Sequence, residues 1–201
     1  MIMKIKFLFF GLFLVSVLCY GQEKEDLFSL IDEEKKIELL PEKMIFTQSL
    51  LWGKNGLLRK TNLSPLNLEN REKELKLRKT MLTAHQTIGY ITLASMLAQG
   101  IIGGKLYNGQ DDLYETHKTM GKIVNIGYFT GAGLSLFSPP PLINKKVKGF
   151  NSIKAHKMLA TVHFSAMVAT NYYNDKNKAN HKAAAYTAFA SYATAVLVIK
   201  F

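Results

Sequence analysis

The chain has 201 residues, enough for one domain of ordinary size, with 26 Lys and Arg against 15 Asp and Glu and a formal net charge of +11. Its one cysteine, Cys19, lies near the start, which leaves the rest of the chain without a disulfide, a thiolate nucleophile or a cysteine-based metal site. The positive charge does not point to nucleic acid: Lys and Arg gather beside apolar segments (Arg71, Lys73, Lys76, Arg78, Lys79; Lys145, Lys146, Lys148) without aromatic interleaving, where they would face anionic lipid headgroups.

Residues 1–21 carry two early lysines, an apolar core from Phe7 to Leu18 and the run Cys19-Tyr20-Gly21 before Gln22. These are the charged, apolar and small-residue parts of a signal peptide, with cleavage expected after Gly21. Residues 22–79 read as an exported, charged, mostly helical region with one apolar patch from Met44 to Leu58 around Trp52 and a break at Ser64-Pro65. The mixed-sign stretch Glu69–Lys79 suits a solvated or interfacial helix.

From residue 80 onward charge is confined to short stretches between four long apolar segments, about 80–103, 119–138, 155–173 and 183–199. Each approaches the ~20 residues that cross a bilayer. Between them stand Asn108-Gly109, Pro139-Pro140-Pro141 and Asn174-Asp175, which are turn and breaker signals. The expected fold is therefore all-α, a transmembrane four-helix bundle over residues 80–201, preceded by the signal peptide and the short helical region. Gly, Ala, Ser and Thr outnumber Leu in these segments, as in Gly127 to Gly131 and Ala183-Ala184-Ala185, and such residues let helices approach closely in lipid. The export signal places the N-terminal region in the periplasm and the bundle in a bacterial inner membrane as a multi-pass protein. The denser Lys and Arg groups at 71–79 and 145–154 favour the opposite orientation.

All five histidines fall in this bundle: His85, His117, His156, His163 and His181. An ionisable group in or beside a membrane span is a functional candidate by default. Short connections make neighbouring helices antiparallel, so His85 and His156 enter from one side of the membrane, and His117 and His181 from the other. His163 lies one heptad past His156, back on nearly the same helix face and ~10 Å deeper, so either can oppose His85. Two imidazoles from two helices are what a six-coordinate haem iron takes, whereas zinc wants three or four ligands at one point.

The motifs His85-Gln86-Thr87-Ile88-Gly89, His117-Lys118-Thr119-Met120-Gly121 and His156 through His163, spread over consecutive spans, resemble the cytochrome b561-like family of membrane haem proteins over roughly residues 80–201. The resemblance implies a four-helix core with one or two haem b groups in bis-histidine sites, passing electrons between a donor such as quinol or another small reductant and an unidentified acceptor. Carried over, His85 with His156 or His163 would hold one haem and His117 with His181 the other. The chain departs from the family in having no histidine within 183–199. The competing expectation is a haem-free membrane scaffold or assembly protein with structural histidines.

Overall fold

The computed structural model describes residues 38–143 and 151–199; the expected signal peptide and the first part of the N-terminal region lie outside the described residues. Every regular element among the described residues is helical. Two short helices, α1 (Phe46–Trp52) and α2 (Leu57–Lys60), are followed by four long ones: α3 (Leu68–Tyr107), α4 (Tyr114–Leu136), α5 (Ser152–Tyr173) and α6 (Lys178–Val198).

The starts and stops of the long helices follow from side chains at their ends. Asn67 caps α3 by accepting from the Asn70 amide at 2.9 Å, and Asn151 caps α5 by accepting from Lys154 at 3.0 Å. Asn177 does the same for α6, accepting from Asn180 at 2.9 Å. Each of these side chains satisfies one of the amides that a helix N-terminus leaves unpaired. The turn after α3 passes through Gly109, whose φ of +96° is open to glycine and strained for other residues. The three prolines at 139–141 stop the chain after α4, because proline has no amide to donate and its ring blocks helical continuation.

The four long helices coincide with the four apolar segments of the sequence, with three differences, one being that α4 starts at Tyr114 rather than near 119 and so holds His117 inside its first turn. The first helix starts at Leu68 rather than near residue 80, so the charged stretch and the apolar one form a single 40-residue rod. The last begins at Lys178, which places His181 inside its first turn rather than ahead of the helix. Among the described residues α3 is the one helix long and apolar enough to cross a membrane. The other three, of 23, 22 and 21 residues, are more than ~30 Å long each but do not reach that apolarity, their Gly, Ala, Ser and Thr content lowering their hydropathy.

The helices pack as two antiparallel hairpins, α3 with α4 and α5 with α6, joined most closely where α3 meets α6. The α4–α5 seam is bridged by long side chains: Tyr128 to His163, Phe129 to Phe164, and Asn171 donating to Asn125 at 2.8 Å. At the middle of the bundle every long helix contributes to the core: Met96, Val124, Tyr128, Ala166, Met167 and Ala188. The outside is apolar on all four rods, with Ile91, Ile101, Ile126, Val162, Val168 and Leu197 exposed, Ile126 to 70%.

The N-terminal segment folds against the end of the bundle where α4 stops. The Trp52 indole donates to the Phe137 carbonyl at 3.0 Å and the Thr47 hydroxyl to the Leu136 carbonyl. Arg71 and Arg78 donate to the carbonyls of Pro140 and Pro139. Beneath them Glu74, buried on α3, pairs with Arg71 and Arg59 and accepts from the Ser64 hydroxyl.

Candidate functional site

Four of the five histidines occupy equivalent places. In the first hairpin the His85 Nδ1–H donates to the Gly131 carbonyl of α4 at 2.8 Å, and His117 lies against the Gln99 side chain of α3 at 3.3 Å. In the second the His156 Nδ1–H donates to the Ala195 carbonyl of α6 at 3.0 Å and the His181 Nδ1–H to the Thr170 carbonyl of α5 at 2.9 Å. The register is the same on every helix. Each carries a histidine at one end and the partner of its neighbour's histidine 14 residues away at the other (85 to 99, 117 to 131, 156 to 170, 181 to 195), which is ~21 Å of helix. The outcome is a pair of histidines at each end of the bundle, on diagonally placed helices.

At one end are His85 and His156, within electrostatic reach of each other and of His163. At the other end the His117 and His181 rings lie 6.2 Å apart between centroids, with their planes at 80°. Gly103 makes room there, since a Cβ at that position would stand 2.7 Å from His117 Cε1. Three of these four imidazoles donate through Nδ1, which puts the lone pair on Nε2, the tautomer and anchoring typical of a metal-ligating histidine. His117 departs from the pattern. The Gln99 amide nitrogen faces its Nε2, and its Nδ1 and Gln99 Oε1 are both buried without a partner.

His163 is placed differently, half-way down the bundle. Its Nδ1 shares a 2.6 Å hydrogen bond with the Tyr128 hydroxyl, and its ring lies 5.0 Å from that of Tyr192. Tyr192 in turn donates to the Gly89 carbonyl at 3.2 Å.

The division of the other four histidines between two ends agrees with the alternation expected from the sequence. Gly131, Ala195 and Thr170 have no sequence signature, because they act through backbone carbonyls. Gln99 carries the one signal available, a 14-residue register against His85 that becomes meaningful once the helices pair, and Gly103 stands one helical turn further on.

Among the described residues no group of three or more His, Cys, Asp or Glu side chains is gathered to hold a metal ion. The histidines stand instead in twos, one pair at each end of the bundle. The buried, unpartnered Nδ1 of His117 and the Gln99 amide beside it are the one mismatch in the four. In comparisons with protein-family models, curated proteins and solved structures, nothing matches this chain.

Proposed function

We propose that this protein is a membrane b-type cytochrome of the bacterial inner membrane, its four long helices all crossing the bilayer and its N-terminal region on the periplasmic side. The reading that best suits the paired histidines is one haem at each end of the bundle, held by His85 with His156 and by His117 with His181. The observation that carries it is the repeated anchoring, three Nδ1–H donors to main-chain carbonyls and two histidine pairs ~21 Å apart along the helices. Exposed Ile, Val and Leu on every long helix support the membrane, because a water-soluble bundle of this size would turn those faces inward.

A haem held this way supplies one-electron exchange at a potential set by its axial ligands and its burial. The chain fixes that environment. The carbonyls of Gly131, Ala195 and Thr170 hold ring orientation and tautomer and raise imidazole basicity. The central layer of Met96, Val124, Tyr128 and Met167 fills the space between the two ends with buried side chains. His156, anchored like His85, is the ligand partner at that end; His163 is committed to Tyr128. The donor and acceptor are small or membrane-borne carriers, quinol or a comparable reductant among them.

The test is a reduced-minus-oxidised spectrum of the detergent-purified protein from haem-replete cells, with a pyridine haemochrome assay for haem per chain. The expected result is a b-type spectrum with two haems per chain. His85→Ala and His156→Ala should each remove one, His117→Ala and His181→Ala the other, and His163→Ala neither. A colourless wild-type protein would sink the cytochrome reading and leave a membrane scaffold as the better account.

A further inference from the structure

Apart from the buried Trp52, the N-terminal segment exposes its large apolar side chains and buries polar ones. On α1, Gln48 and Trp52 are buried while Phe46 and Leu50 are exposed, Phe46 to 79%. The two pairs are each four residues apart and offset from one another by two, which sets them on opposite faces of the helix. The neighbouring stretch repeats the inversion: Leu57 and Leu63 are exposed, Leu63 to 76%, while Arg59, Arg71 and Glu74 are shut away beneath them. Exposed large apolar groups above buried charges are the reverse of what water selects.

Position identifies the surroundings that would select it. The Thr47 hydroxyl bonds the Leu136 carbonyl and the Trp52 indole the Phe137 carbonyl, so α1 is fastened to the rim of the bundle. Leu136 and Phe137 are themselves exposed there, as is Leu77 on α3. The apolar patch of the segment thus continues the apolar outer surface of the rods, and Lys54 and Lys60 stand exposed beside it.

We infer that residues 45–63 are a foot that lies on the anionic lipid surface, with Phe46, Leu50, Leu57 and Leu63 inserted at the headgroup–acyl boundary and Lys54 and Lys60 among the lipid phosphates. The inference rests on the membrane reading of the bundle. It matches the way interfacial segments combine a shallow apolar face with basic neighbours. The foot anchors the end of the bundle that holds His85 and His156, and fixes how deep that end sits.

The full chain carrying Cys19→Ser receives single cysteines at Phe46, Leu63, Lys54 or Ile126, is spin-labelled, and is reconstituted into vesicles of phosphatidylethanolamine and phosphatidylglycerol. Collision rates with oxygen and with a water-soluble nickel chelate then report depth at each site. All four side chains are exposed, so the labels displace no packing. Labels at Phe46→Cys and Leu63→Cys should favour oxygen several-fold more than that at Lys54→Cys, and the Ile126→Cys label should favour it most. If Phe46 and Leu63 meet nickel as freely as Lys54 while Ile126 does not, the foot is wrong and the membrane bundle stands. If Ile126 meets nickel too, both fail. Protection of Phe46 and Leu63 from both reagents would place protein on the patch, either residues preceding 38 or a second copy, and would also overturn the inference.

Discussion

Gly103 and Gly131 each stand beside a histidine, yet the space around them differs. A methyl group on Gly103 would meet His117 Cε1 at 2.7 Å, well inside contact, whereas one on Gly131 would find Ile88 at 3.6 Å and His85 Nδ1 at 3.8 Å, both ordinary distances. The His117 ring is wedged between Gly103 and the Gln99 amide, so it cannot yield to a methyl group without leaving its place opposite His181. Overpacking of this kind costs ~1–3 kcal/mol. On the proposed cytochrome reading Gly103→Ala should therefore lose or spectrally perturb a haem at the His117 end, while Gly131→Ala leaves haem per chain unchanged; equal effects from the two variants would show that space at Gly103 does not govern the site. The histidines were legible in the sequence because an imidazole in an apolar segment is chemically out of place. Their partners were not, because a carbonyl acceptor can belong to any residue, and a glycine that clears a ring resembles one that merely lets helices approach.

At the scale of the element, the stretch from Glu69 to Lys79 shows how far a pattern can be read. Its solvated half was visible: Glu69 with Lys73 and Glu72 with Lys76 form exposed pairs four residues apart, worth a few tenths of a kcal/mol each. The buried half was visible only as spacing, Arg71, Glu74 and Arg78 falling on one helical face, and nothing in the sequence said that Arg59 and the proline carbonyls would meet it. Glu74 now holds the foot to the rod. Burial pushes its carboxyl up, but hydrogen bonds from Arg59, Ser64 and Arg71 outweigh this and hold it below the usual carboxylate range. With the folded pKa below the unfolded one, the unfolded state binds the extra proton first. The contribution is thus complete above the ordinary carboxylate pKa and is lost as pH falls through the lower folded value. Acid should release the foot before it disrupts the bundle, which Trp52, the single tryptophan, reports by its emission and protease digestion confirms. Glu74→Gln leaves two buried guanidinium groups without their counter-ion, a change of about 3–5 kcal/mol for a broken buried pair, and should release the foot at neutral pH. An unchanged acid profile in that variant would exclude Glu74 as the responsible group.

The whole molecule is two copies of one design, hairpins with the same register between histidine and partner, and this is where the sequence was least transparent. Aligned on their histidines the hairpins match at Ala84-His85 and Ala155-His156, Met96 and Met167, His117-Lys118 and His181-Lys182, and Tyr128 and Tyr192, but the matches are scattered and the histidines are 32 apart in one hairpin (85 to 117) and 25 apart in the other (156 to 181); the 14-residue register between histidine and partner emerges only when the helices pair. By hydropathy α3 alone among the described helices meets the length and apolarity of a span, the small residues of the other three lowering theirs. The two hairpins are joined at mid-depth by one cluster. Tyr128 reaches His163 across the α4–α5 seam, Tyr192 reaches Gly89 across the α6–α3 seam, and the two tyrosine rings lie 5.8 Å apart. Both also flank the His163 ring, so the seams are not independent. Tyr128→Phe should leave haem per chain unchanged and cost ~1 kcal/mol for the lost hydrogen bond, a fall in thermal midpoint of roughly 2–4 °C for a chain of this size. Tyr192→Phe should cost about the same. Because the two side chains share a neighbour, the double variant should differ from the sum of the singles by at least ~0.5 kcal/mol. Strict additivity in that cycle would mean that the hairpins are clasped at two separate points, and that strain at one end of the bundle has no route through its middle to the other.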